Sequence, residues 1–130
     1  MDAWLLWERI IFRRDLEEIA FSDEQSERAD DCRLALNMHA YRVKKYIGAY
    51  TAALGGVDVI VFTGGVGENQ TGLRGDVCKE LAYMGIELDE EANKVRGEER
   101  VVTTENSKIK VVVIPTDEEF MIASDTMNLI

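Results

Sequence analysis

The residues best placed to do chemistry fall in two short polar runs, each directly behind an apolar, β-branched stretch. The first is FTGGVGENQ, Phe62 to Gln70, and the second is TDEE, Thr116 to Glu119. Three glycines, a carboxylate and an amide fall between Gly64 and Asn69. Such a composition suits a tight turn, a phosphate cradle or a bare backbone surface for a planar base. A Walker A loop needs a Lys followed by Ser or Thr at the start of its helix, and this run has neither. A dinucleotide fingerprint needs a third glycine where Gln70 stands; Asp89 and Glu90 lie near the spacing of its ribose-binding acid, but spacing alone is weak. Glu68 would repel a diphosphate unless it points away or a metal intervenes. A tight polyphosphate cradle is therefore disfavoured. Two readings stay open: a turn with Asn69 capping the next helix, which residue chemistry alone favours, or a glycine surface under a purine whose polar edges Asn69 reads.

The elements that must position these runs can be read from periodicity. Ser22 and Gln25 form a capping box opening one long helix to about Leu54, with Leu36, Ala40, Val43, Ile47, Tyr50 and Leu54 as its apolar stripe. Gly55 and Gly56 end it. Val57 to Thr63 is a continuous apolar run, the pattern of a central strand covered on both faces. A second helix is predicted from about Thr71 to Met84, with Leu73, Val77, Leu81 and Met84 on one face and Gly85 as its stop. A short strand and an irregular or briefly helical segment follow, and then strands Arg100 to Thr104 and Ile109 to Ile114 joined by a hairpin-length link. Thr116 and Glu119 form a second capping box for a terminal helix with Phe120, Ile122, Ala123 and Met127 on its apolar side. The alternation is that of an α/β chain. Ligand crevices in such folds lie beyond the carboxyl ends of strands, where both polar runs fall.

Composition narrows the function classes. With 130 residues, 46% of them hydrophobic, one Pro and ten Gly, the chain reads as a single globular domain over residues 1–130. A net charge of −10 repels phosphate backbones and anionic surfaces, so neither nucleic acid nor membrane is an expected partner. Cys32 and Cys78 lack a CxxC pattern and read as packed, reduced thiols. The opening MDAWLLWERIIFRRD is too short and too charged to span a membrane and lacks the plan of a signal peptide, which leads to a cytoplasmic expectation. Trp4, Leu5, Trp7, Ile10 and Ile11 still require a covering surface.

Several separated blocks, LALNMHAYRVKKYIGAYTAALGGVDVIVFTGGVGEN, RGEERVV and VVVIPTDEEFMIASDT, together resemble the carboxy-terminal part of acetate kinases from about Arg14 to Thr126. The resemblance implies part of a ribonuclease-H-like domain of the actin, hsp70 and sugar kinase superfamily, with a mixed sheet and flanking helices. It also implies the family reaction, phosphoryl transfer between ATP and acetate. The family's nucleotide loop falls on Phe62 to Asn69, which places adenosine rather than phosphate against Gly65, Val66, Gly67, Glu68 and Asn69. Its magnesium-associated acid falls on Glu118. Mg²⁺ takes hard oxygen ligands and often only one protein carboxylate beside nucleotide phosphates; an acid in a helix's first turn is the bland alternative.

Departures from the family pattern limit what the resemblance implies. A DxRD segment that reaches the nucleotide aligns with Phe12, Arg13, Arg14 and Asp15, so Arg14 is carried over as a nucleotide contact while Phe12 is not. If the replaced aspartate is buried in the family, its loss weakens binding by about 1–3 kcal/mol. His39, the only histidine, stands where the family usually has an aromatic residue and reads as a helix residue without a catalytic role. Residues 1–12 match nothing in the family, and no segment resembles its amino-terminal domain, which carries the acetate pocket. The expectation is a chain that binds ATP or ADP with Mg²⁺ at most, with no catalytic residue of its own. It would act as a homodimer or beside a separate amino-terminal kinase domain, or persist as a non-catalytic dimerising remnant.

Overall fold

The computed structural model describes residues 27–129. Helix α1 (Glu27–Leu54) buries Ala29, Cys32, Leu36 and Ala40, and half-buries Val43 and Ile47. These residues recur at intervals of three and four, so they form one face. Strand β1 (Val59–Phe62) runs almost directly into a six-residue helix α2 (Gly64–Asn69), which abuts α3 (Thr71–Glu80). Two single 3₁₀ turns follow, Ala82–Met84 and Ala92–Lys94, then strands β2 (Arg100–Val101) and β3 (Lys110–Val113) and helix α4 (Glu118–Asn128).

The strands form a mixed three-stranded sheet in the order β1-β3-β2. β3 pairs parallel with β1, Phe62 opposite Val113, and antiparallel with β2, Val101 opposite Val112. Alternation then sends Phe62, Val111 and Val113 to the face that meets Leu73, Val77, Cys78 and Leu81 of the α3 region, with Ala40 of α1 in the same cluster. Leu81, Val102, Val111 and Val113 are fully buried. Each such side chain contributes about 1.5–3 kcal/mol of transfer free energy.

Several sequence expectations change here. β1 is an edge of the sheet among the described residues, and β3 is central. Val59 and Val61 are about half exposed, because the described helices pack on the opposite face. An unbroken apolar run therefore did not mean burial on both sides. The inner stripe of α1 fades before its end: Tyr50 and Leu54 are exposed, beyond the reach of α3. The second helix stops at Glu80 and tightens into the 3₁₀ turn, since Leu81 leaves helical geometry (φ −99°, ψ 7°). Residues 87–89 make only an isolated bridge, Leu88 with Thr103, rather than a strand. At the terminal helix, Asp117 is the cap, accepting the Phe120 N–H at 3.0 Å, because the Thr116 hydroxyl is engaged elsewhere. The apolar side of α4 is exposed at Phe120, Ile122 and Met127. The Ser22–Gln25 capping box lies outside the described residues.

One buried cation organises the middle of the chain. Arg74 has no exposed surface, and its guanidinium donates from Nε to Asn93 Oδ1 (2.9 Å) and from Nη1 to the carbonyls of Gly67 (2.8 Å) and Glu68 (2.9 Å). Nη2 donates to the carbonyls of Asn93 and Val95, both at 2.7 Å. Asn93 Nδ2 completes the knot by donating to the Thr71 carbonyl at 3.0 Å. Burial pulls the guanidinium pKa down from its ordinary value, and neutral oxygens around the fork hold the charge in place. Arg74→Met should leave five acceptor contacts unmade and lower stability by roughly 3–5 kcal/mol, measured by urea denaturation.

Cys78 provides a pH test of the same core. Burial raises its thiol from 9.0 to about 11. The unfolded chain therefore loses this proton first as pH rises. Stability from this group is fully present below about pH 9 and lost between about pH 9 and 11. Cys78→Ala should remove that segment of the stability–pH curve.

Candidate nucleotide-binding site

The site grows out of the carboxyl ends of the two parallel strands. Thr63 is still extended (φ −146°, ψ 171°), and the next residue turns the chain abruptly into α2. Gly64 does this at φ +70°, a conformation in which a Cβ is strained. The glycine-rich run is thus a helix, not an open turn. Gln70, rather than Asn69, occupies the cap position of α3, and Asn69 folds back so that Nδ2 donates to the Gly65 carbonyl at 3.0 Å.

The glycines of α2 have different surroundings. A Cβ built at Gly65 meets nothing within 4 Å, whereas one at Gly67 comes within 3.0 Å of the Phe62 carbonyl carbon. Gly67 is buried and brings α2 close against β1; Gly64 and Gly65 present open backbone. A recess of about 300 Å³ is lined by His39, Val43 and Ile47 of α1, Ile60 and Phe62 of β1, and Val66 and Gly67 of α2. Its walls are mainly apolar, the surface a flat aromatic base would meet. His39 is an exposed rim residue.

Parallel pairing carries the second polar run to the same end of the sheet. Ile114 N–H donates to the Phe62 carbonyl at 3.0 Å, extending the β1–β3 ladder. Beyond it, Glu68 Oε1 accepts both the Thr116 N–H (2.8 Å) and the Thr116 hydroxyl (3.0 Å). The Glu68 carboxylate is therefore turned toward the β3–α4 connection. Two residues further, Glu118 begins α4 and is exposed, its carboxylate without a charged or hydrogen-bonded partner among the described residues. Sequence-predicted Gly65, Val66, Gly67, Glu68 and Asn69 thus share one short helix, and Glu118 is tied to that helix through Thr116. Arg14, with Phe12, Arg13 and Asp15, lies outside the described residues.

The donor set at this end of the sheet fits an ion that needs a single protein oxygen. Among the described residues no three His, Cys, Asp or Glu side chains converge as ligands. One free, hard carboxylate at Glu118 matches an ion that takes a single protein oxygen and fills its shell with phosphates and water.

Residues 12–124 match the family model of the Acetokinase family. The chain belongs to this family. An acetate kinase of Bacteroides fragilis is 58% identical over 118 residues, 90% of this chain but 28% of the relative. The solved acetate kinase of Porphyromonas gingivalis superposes with a TM-score of 0.76 at 51% identity, over 89% of this chain and 28% of the other. A propionate kinase of Francisella tularensis gives a TM-score of 0.76 at 32% identity, over 91% and 29%. This acetokinase-family chain therefore spans little more than a quarter of the length of relatives it matches. Their shared fold agrees with the α/β, mixed-sheet architecture implied by the sequence resemblance.

Arg74 was the functional-region residue that motif reasoning passed over. The signal was there: Arg74, Val77, Cys78 and Leu81 stand at i, i+3, i+4 and i+7, which places an arginine on an apolar helix face. Asn93 and Thr116 had no comparable marker, because their roles depend on segments distant in sequence. The two kinds of glycine yield a paired test. Gly67→Ala should lower stability by about 1–3 kcal/mol through overpacking against Phe62, whereas Gly65→Ala should be neutral or stabilise by up to about 1 kcal/mol, both read from thermal melts.

Proposed function

We propose that this chain is the carboxy-terminal, nucleotide-binding part of an acetate kinase. Adenosine lies against the open backbone of Gly64 and Gly65 and the neighbouring apolar recess, with Val66 and Asn69 at its edge. Glu118 supplies one oxygen to the Mg²⁺ of bound ATP or ADP, and Arg14 is a further nucleotide contact. The observation that carries this reading is that α2 lines the 300 Å³ recess with Val66 and Gly67 while leaving the backbone at Gly65 open.

In the family reaction an acetate oxygen bonds to the γ-phosphorus of ATP as the bond to ADP breaks. Phosphoryl transfer depends on positioning and on electrostatic stabilisation of the transferring group. The resemblance assigns the acetate pocket to the amino-terminal domain, which the matched residues do not include. Residues 1–130 by themselves are accordingly a binding half-site, and turnover requires that domain as well. Exposed Leu34, Met38 and Tyr41 on α1 and Phe120 and Ile122 on α4 also favour an assembling chain, so a dimeric, non-catalytic role is the second reading.

Titration of the labelled full chain with Mg-ADP should shift backbone NMR signals of Gly64 to Asn69. Gly65→Ala, which leaves the fold intact, should weaken that binding at least about tenfold by placing a methyl where the base lies. A coupled assay of the unmixed chain should detect no acetyl phosphate. Absence of any shift at millimolar Mg-ADP would leave the dimeric reading, and turnover by the chain alone would refute the half-site.

A further inference from the structure

Glu68 poses a question that the nucleotide reading does not absorb. A carboxylate in the middle of a nucleotide-facing helix is electrostatically unfavourable for phosphates nearby. Its Oε1, however, accepts two hydrogen bonds from one residue, Thr116, across 48 positions of sequence. Its own carbonyl is held by buried Arg74 at 2.9 Å. The residue is therefore anchored on its backbone side to the core and extends its side chain to a segment that the core does not hold.

Among the described residues that segment has little other attachment. None of α4's residues is buried, and Pro115 has no N–H to continue the sheet ladder. The hydrogen bonds tying residues 115–129 to the rest of the described chain are the two donated by Thr116. The cap at Asp117 and the bond from the Thr126 hydroxyl to the Ile122 carbonyl are internal to α4. Where the first turn of α4 points, and with it Glu118, then depends on whether Glu68 holds Thr116.

We propose that Glu68 is a positioning residue for Glu118: its carboxylate latches Thr116 and so sets the place of the α4 carboxylate relative to the glycine helix. Glu68 acts on the site through this bond and not by touching nucleotide or metal. The role of Glu118 rests on the nucleotide reading; the latch itself does not. A glutamine retains the accepting oxygen and loses the charge, so the bond and the charge can be separated.

The test compares Glu68→Gln and Glu68→Ala in the full chain, first without ligand. Glu68→Ala should speed exchange of the Thr116 amide about tenfold or more, since hydrogen bonds to charged acceptors are among the stronger ones. It should also move the amide signals of Glu118 to Phe120 while those of Val111 and Val113 stay put. Glu68→Gln should restore most of both. Unchanged Thr116 exchange in Glu68→Ala, or a Gln variant as perturbed as the Ala variant, would overturn the latch. Mn-ADP then supplies a paramagnetic probe: broadening of the Glu118 signal should weaken in Glu68→Ala and persist in Glu68→Gln. Undiminished broadening at Glu118 in Glu68→Ala would also overturn the proposal. No broadening in the unmodified chain would instead refute the nucleotide reading, with the ligand-free comparison still deciding the latch.

Discussion

The guanidinium of Arg74 is the constraint on which the rest of this structure depends. A buried cation is tolerated only when its donors are satisfied, and here five hydrogen bonds to oxygens of α2, Asn93 and Val95 meet that demand. Those oxygens belong to segments that have few apolar contacts of their own: a six-residue glycine-rich helix and an irregular stretch with one 3₁₀ turn. Neither would keep a fixed shape by propensity, because glycine costs about 1 kcal/mol per helical position relative to alanine. The fork supplies the missing order by joining both to α3, which carries Val77 and Cys78 into the hydrophobic core.

From that anchor the order extends outward to the site. Arg74 holds the carbonyl of Glu68, Glu68 holds Thr116, and Thr116 precedes the turn that presents Glu118. Meanwhile Gly67 lets α2 lie close on Phe62, leaving the backbone of Gly64 and Gly65 open. Rigid support on one side and bare backbone on the other suit a surface that must accept a flat ligand without rearranging. The surface acids, Glu80 paired with Lys44 included, are peripheral to this arrangement.

Much of the fold was legible in the sequence where a periodic signal met a clear stop. The three-four spacing of Leu36, Ala40, Val43 and Ile47 marks a helix face, and the β-branched runs before Thr63 and Ile114 mark strands. Burial was less legible. Val59 and Val61 share composition with Val111 and Val113, yet the first pair is half exposed and the second has no exposed surface. The face makes that difference, since Val59 and Val61 lie opposite Lys110 and Val112 rather than Val111 and Val113, and only helix packing decides which face is covered. The Thr116–Glu119 capping box failed for a similar reason, since a distant carboxylate competed for the Thr116 hydroxyl and Asp117 capped instead.

By itself, the sequence determined the long first helix, the strands before the two polar runs, the family, and the place of those runs, because residue types and spacings act locally. Only the tertiary structure decided which glycine is packed and which is open, why an arginine sits on an apolar helix face, and what Glu68 holds. Those outcomes depend on distances between residues as far apart as 48 positions, which parallel pairing of β1 and β3 creates and which no stretch of chain specifies alone.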